Sequence, residues 1–242
     1  MIEHTLELKM TKIKLITFDL DDTLWDNGPT ITNAETQTRK WIEERVGKIE
    51  WGNFEDFIEL RSALIKKDPS IAWDIGKLRK EIFKIKISHL VPPSEANVLA
   101  NDAFNFFINK RHEIKLYDGV DEALCSLSKK YKLAVLTNGN ADIFRFKIGK
   151  YFKFSISSLE AMNSKPHRAH FDMAIRQSGK INFTEMLHIG DHQVNDVSAA
   201  YQLGIKTLWF NNKNDEWAQD FRKPAEFSNW QELPVIIENL YE

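Results

Sequence analysis

The 242-residue chain carries 33 Lys and Arg against 35 Asp and Glu, with 43% hydrophobic and 28% charged residues and only 10 Gly and 7 Pro. That balance describes a folded domain with a real core and excludes fibrous, disordered and mini-protein classes. A formal charge of -2 supplies no field to draw in a polyanion, so nucleic acid is not an expected partner. Cys125, the single cysteine, excludes a disulfide within the chain, and its neighbours Ala123, Leu124 and Leu127 make it a buried structural thiol in a cytoplasmic style of cysteine usage. The opening segment MIEHTLELKMTK lacks the apolar stretch of a signal peptide, and no later run is long enough to span a membrane. The expected location is the cytosol, with no membrane partner.

In chain order, Lys12–Asp19 (KIKLITFD) reads as a buried strand that ends in an acid and then in the polar turn Asp21-Asp22-Thr23. Four helices follow. The first holds Ala34, Trp41, Ile42 and Val46; the second Phe54, Phe57, Ile58, Leu64 and Ile65; the third Ile75, Leu78, Ile82 and Ile85; the fourth Leu99, Ala103, Phe106 and Phe107. Asp68-Pro69-Ser70 and Val91-Pro92-Pro93-Ser94 break them, with Ser94 as an expected N-cap, while Ile85-Lys86-Ile87-Ser88 also alternates like a strand. Beyond them come four short apolar strands, Leu133–Thr137, Phe154–Ser157, Met186–Gly190 and Lys206–Phe210, separated by segments of helical spacing. This alternation predicts an α/β fold with a doubly wound, Rossmann-like parallel sheet built from residues 1–24 and 116–242. Residues 25–115 form an inserted α-helical cap over the carboxyl ends of the strands, where open α/β sheets bind ligands.

Four clusters of polar residues stand at the ends of these strands. Asp19 and Asp21 bring two carboxylates into one small volume, which calls for a neutralising cation; Mg²⁺ suits a few hard oxygens and commonly bridges to phosphate. A solvated acidic turn is the plainer alternative. Leu136-Thr137-Asn138-Gly139 offers a hydroxyl, an amide and a close backbone approach for a phosphoryl oxygen, or else an ordinary capped turn. Ser164-Lys165-Pro166 sets a lysine before a rigid turn. His188-Ile189-Gly190-Asp191-His192-Gln193-Val194-Asn195-Asp196 puts Asp191 at a strand end and Asp196 in the first turn of the next helix, where acids are also favoured electrostatically.

Taken in order, DLDDT, LTNG, KP and GDxxxND, each after an apolar strand, resemble the four motifs of the haloacid dehalogenase superfamily, and the likeness runs from Phe18 to Phe210. The helical insertion resembles the cap that this superfamily carries between its first and second motifs. The resemblance implies Asp19 as nucleophile forming an aspartyl-phosphate, and Asp21 as the acid that protonates the leaving alkoxide and then deprotonates water. It implies Mg²⁺ held by Asp19, the backbone carbonyl of Asp21 and Asp191. Thr137, the backbone around Asn138 and Lys165 are implied to grip the phosphate, with Asp196 orienting Lys165 or metal-bound water. Dehalogenases of the superfamily usually lack the second aspartate, since a halide leaves without a proton, whereas phosphatases keep it; transport ATPases carry DKTGT and membrane helices.

Within the superfamily, DLDDTLWDNGPTITNAE, SKPHRAHFDMAI and GDHQVNDVSAAYQLGIKTLWFN are most similar to bacterial flavin-pathway phosphatases, which act on 5-amino-6-(5-phospho-D-ribitylamino)uracil and FMN. Pyrimidine 5'-nucleotidases and broad sugar-phosphate phosphatases share the cap type, and a non-catalytic scaffold is the rival of another class. The implied partner is a small phosphorylated metabolite. His192 stands where related sequences often show Ser, Asp or Asn. Most aromatics of the insertion read as packing, with Trp25 and Trp73 left as the exceptions, either of which could face the substrate; His167 and His170 read as solvated or helix-capping.

Overall fold

A computed structural model describes residues 12–179 and 181–241; the N-terminal segment, read above as free of an apolar leader, lies outside them up to residue 11. In chain order the principal elements are β1 (Leu15–Phe18), α1 (Asn27–Val46), α2 (Phe54–Lys67), α3 (Ile75–Ile87), α4 (Pro93–Arg111), α5 (Val120–Leu127), β2 (Lys132–Thr137) and β3 (Phe152–Ser157). They continue as α6 (Ser158–Ala161), α7 (Ala169–Ser178), β4 (Met186–Gly190), α8 (Ala199–Tyr201), β5 (Lys206–Phe210), β6 (Ala225–Phe227) and α9 (Leu233–Tyr241).

The strands make one parallel sheet in the order β3-β2-β1-β4-β5-β6. Alternate side chains feed two separate cores, as a period of two requires. Ile16, Phe18, Val135, Ile189 and Phe210 face one layer with α5 and α9, while Leu15, Ala134, Leu136, Ile156 and Met186 face the other with α7. Burial on both faces explains why the strands read as continuous apolar runs. β6 escaped the sequence reading because it is a three-residue edge strand with two exposed positions.

The four helices α1–α4 occur where the spacing predicts them. Asp26, Asn53 and Asp74 cap α1, α2 and α3, Asn53 in a reciprocal box with Asp56. The helical alternative prevails over the strand-like alternation at Ile85–Ile87, because Phe83 and Ile87 are both buried against Ala96, Ala100 and Phe107. Ser94 does not cap α4: the helix begins one residue earlier at Pro93, whose missing N–H is no loss at that position. The insertion leaves and rejoins the sheet layer side by side, since Trp25 bridges antiparallel to Leu116. Cys125 is half-buried on α5, more open than its apolar neighbours suggested.

Candidate active site

β1 lies at the point where the strand order reverses, with β2 on one side and β4 on the other. Phe18 is in register with Val135 and Ile189, so the chain emerges at one carboxyl edge with Asp19, the Thr137 turn and Asp191 adjacent. Asp19 N–H donates to the Ile189 carbonyl at 2.9 Å, which ties the turn to β4.

Lys165 sits at the centre. It is 3% exposed, and its Nζ donates to Asp19 Oδ1 at 2.8 Å, Asp196 Oδ1 at 2.5 Å and the Leu136 carbonyl at 2.7 Å. The side chain of Asn138 builds this position: its Oδ1 accepts from Lys165 N–H at 2.7 Å and its Nδ2 donates to the Lys165 carbonyl at 2.9 Å. Asn138 therefore has its backbone, not its amide, left for a phosphate. Thr137 Oγ1 accepts from Gly139 N–H at 2.9 Å, leaving the hydroxyl proton to donate.

Oxygens of Asp19, Asp191 and Asp196 lie within 4.8 Å of one another. The Lys165 ammonium bonds Asp19 and Asp196 but not Asp191, so full ionisation of the three carboxylates would leave the cluster with excess negative charge. The consequences differ by residue. Asp196 is buried, yet Lys165 and His188 hold its carboxyl well below the usual range. Burial pushes Asp19 well above that range against the pull of Lys165, with Asp196 and Asp191 adding to the rise. Asp191 rises to about 7 through burial and the charges of Asp196 and Asp22; its Oδ1 accepts from Thr23 Oγ1 at 3.2 Å. The chemistry of this donor set fits a hard divalent cation beside Asp19 and Asp191. Asp196 is engaged instead by the Lys165 ammonium and by His192 N–H.

Further contacts of this fourth cluster become visible only in the folded chain. His188, buried on β4, faces Thr17 Oγ1 through Nδ1 at 2.8 Å and Asp196 Oδ1 through Nε2 at 3.3 Å; burial lowers its pKa. Gly190 admits Asp196, because a Cβ there would lie 2.4 Å from the carboxyl carbon. Asp196 belongs to a π-helical turn, Gln193–Ser198, ahead of α8. His192 caps that turn, its Nδ1 accepting from Val194 and Asn195 N–H.

Asp21 is bound by Trp25 Nε1–H at 3.0 Å and by the Arg111 guanidinium, whose Nη2 reaches both carboxylate oxygens, Oδ2 at 2.6 Å. Trp25 is fully buried, so it serves Asp21 and does not face a substrate. Trp73 does line a cavity, of about 780 Å³, enclosed mainly by α1–α3 and reaching Asn138 and Ser164. Trp51, Phe54 and Phe57 line it too, Trp51 while packing edge-on against Phe83 as the packing reading expects. His170, expected to be solvated or capping, is instead fully buried with Nε2 on the Thr137 carbonyl at 3.1 Å, and burial lowers it to about 4. His167 does cap a turn, accepting from Ala169 N–H at 3.2 Å.

A doubly wound sheet with an aspartate at the end of its first strand, a buried lysine and an acid cluster at its switch point defines a class of hydrolase. The chain belongs to the haloacid dehalogenase-like hydrolases, whose family model matches residues 13–204. It is 31% identical over 211 residues to 5-amino-6-(5-phospho-D-ribitylamino)uracil phosphatase YigB of Escherichia coli (strain K12), covering 86% of this chain and 87% of that one. It is 28% identical to glyceraldehyde 3-phosphate phosphatase of Pyrococcus abyssi (strain GE5 / Orsay), over 94% of each chain. Among solved structures, a 2-haloacid dehalogenase from Pseudomonas syringae pv. Tomato DC3000 superposes with a TM-score of 0.87 at 35% identity, over 94% of this chain and 99% of that one. The chain is an enzyme of this family, of the phosphatase kind. No helix among the described residues is long and apolar enough to cross a membrane.

Proposed function

We propose that this enzyme is a Mg²⁺-dependent phosphatase of small metabolites that works through an aspartyl-phosphate on Asp19, with residues 25–115 as its cap. The observation that carries the reading is the meeting of Asp19, Lys165, Asp191 and Asp196 at one sheet edge, with Asp21 two residues beyond the nucleophile. In this reading a Asp19 carboxylate oxygen attacks phosphorus as the ester P–O bond breaks, and Asp21 gives its proton to the departing alkoxide. Water then attacks phosphorus and returns a proton to Asp21, which releases inorganic phosphate and restores the Asp19 carboxylate. Lys165, the Thr137 hydroxyl and the backbone around Asn138 hold the phosphoryl oxygens. Asp19, the Asp21 carbonyl and Asp191 would hold Mg²⁺, which when bound shields the anionic nucleophile from the anionic ester.

For substrate, we favour FMN or the ribitylaminouracil phosphate. The aromatic cavity supports a flat ring on the leaving group, and Arg39 and Arg79, which share Glu35 at 3.0 and 3.4 Å, give it a polar edge. The likeness to YigB points the same way. Pyrimidine nucleotides and sugar phosphates are the alternatives. A phosphorylated metabolite as substrate and the free thiol of Cys125 suit the cytosol. The structural likeness to a described haloacid dehalogenase favours a second reading, halide displacement, in which Asp21 and its two donors have no task.

Phosphate release from an aryl phosphate with Mg²⁺ and with EDTA, beside chloride release from 2-chloropropionate, separates the two chemistries. Magnesium-dependent phosphate release without chloride release is expected; the reverse overturns the phosphatase mechanism. Comparison of kcat/KM for ribitylaminouracil phosphate, FMN, pyrimidine 5'-nucleotides and sugar phosphates tests the substrate, and a clear preference for either of the last two groups overturns the flavin-pathway assignment.

A further inference from the structure

We infer that Arg111 is the positioning residue for Asp21, so that the last turn of the inserted helices completes the acid–base group of the active site. The inference rests on the acid–base role proposed for Asp21. Arg111 ends α4, a helix otherwise packed through Ala96, Ala100, Ala103 and Phe107 against α1 and α3. Its side chain is 1% exposed, and it turns away from those helices to grip both oxygens of a carboxylate that lies 90 residues earlier in the chain.

The guanidinium is not there to satisfy itself. Its Nη1 is buried without a partner among the described residues, and leaving a charged donor unmet costs stability. The acid is also held from a second side: Trp25 Nε1 donates to Oδ1, and the Trp25 ring lies 5.9 Å from the Arg111 guanidinium carbon. A third element closes the ring, since a Cβ on Gly139 would fall 2.7 Å from Asp21 Oδ2 and 3.6 Å from Arg111 Nη2. Asp21 thus stands between a cap residue, the chain entering the cap and the phosphate-gripping turn. One carboxylate with both oxygens fixed has a single direction in which to pass a proton, which is what an acid–base group needs.

The test is a kinetic double-mutant cycle between Arg111→Met and Asp21→Asn, with Arg111→Lys as the conservative variant and thermal unfolding as a check on folding. Two substrates are used, an alkyl phosphate and p-nitrophenyl phosphate, whose leaving group needs little protonation. Arg111→Met is expected to lower kcat on the alkyl ester by about 30- to 100-fold and on the aryl ester far less, as fits a fraction of the ~10²–10⁴ due to acid–base catalysis. In the Asp21→Asn background the same change should cost less than about 3-fold, because the group it positions is already inert. Arg111→Lys, which keeps one donor, should recover most of kcat.

An equal loss from Arg111→Met in both backgrounds, or on both esters, overturns the positioning role, as does failure of Arg111→Lys to recover any rate in a folded protein. If Asp21→Asn itself spares the alkyl ester, it is the acid–base reading of Asp21 that fails. That outcome is distinct from a leaving-group-dependent Asp21→Asn beside a silent Arg111→Met, which removes Arg111 alone.

Discussion

Replacement of Asp191 by Asn should stabilise the metal-free enzyme while weakening its response to Mg²⁺. Burial and the neighbouring charges of Asp196 and Asp22 raise the folded-state pKa of Asp191 from 3.8 to about 7. A carboxyl with a raised folded pKa keeps, between those two values, a proton that the unfolded chain has released. Stability therefore falls as pH climbs through that window, and the full penalty is present above it. Held protonated up to that pH, the carboxyl sets a ceiling of roughly 4 kcal/mol on the penalty. For a chain of this length each kcal/mol moves the unfolding midpoint by ~2–4 °C, so the ceiling corresponds to roughly 8–16 °C. An amide carries no charge to desolvate and can still accept the Thr23 hydroxyl, which reaches Asp191 Oδ1 at 3.2 Å.

Thermal unfolding of wild type and Asp191→Asn in EDTA, from pH 4 to pH 8.5, reads this directly. The two curves should meet near pH 4 and separate by several degrees above pH 7.5, with the variant more stable. Saturating Mg²⁺ should then raise the wild type by the linkage term, ~2.7 kcal/mol at a hundredfold excess over Kd, and raise the variant little. A variant no more stable than wild type above pH 7.5 in chelator would refute the claim that an uncompensated charge sits at Asp191. Equal magnesium shifts in both proteins would refute its place in the cation site.

Asp19→Asn should abolish turnover with the fold retained, since the amide keeps an acceptor for Lys165 but cannot act as a nucleophile; near-normal phosphate release by a folded variant contradicts the mechanism. Lys165→Met leaves Asp19 and Asp196 buried without their ammonium and should cost about 3–5 kcal/mol, read as a fall in the denaturant midpoint, with Asp196→Asn in the same chain restoring part of it. Gly190→Ala forces a methyl against Asp196, which Lys165 and His192 N–H hold in place, and should cost about 1–3 kcal/mol with loss of activity. Wild-type stability and rate in that variant would show that Asp196 has room to move.

Local pattern by itself determined the strand-and-helix alternation, the helical insertion and the four acid, hydroxyl and lysine clusters. Each depends on the spacing of apolar residues or on short runs within one turn, and such signals survive without knowledge of partners. The meeting of Asp19, Lys165, Asp191 and Asp196 was legible only through the order of those clusters on a parallel sheet. What each side chain does there was decided by contacts far apart in the chain. Asn138, whose backbone was read as part of a phosphate cradle, spends its amide on the backbone of Lys165, 27 residues away. His188 looks like one polar residue inside an apolar strand until Thr17, 171 residues distant, and Asp196 are seen to flank it. Arg111 reads as a basic residue in the last turn of a helix, where a cation is favoured by the dipole and needs no other reason. Only the return of that helix beside Trp25 turns its guanidinium inward onto Asp21, because a buried charge is tolerated where an opposite charge is within reach, and reach is a property of the folded chain.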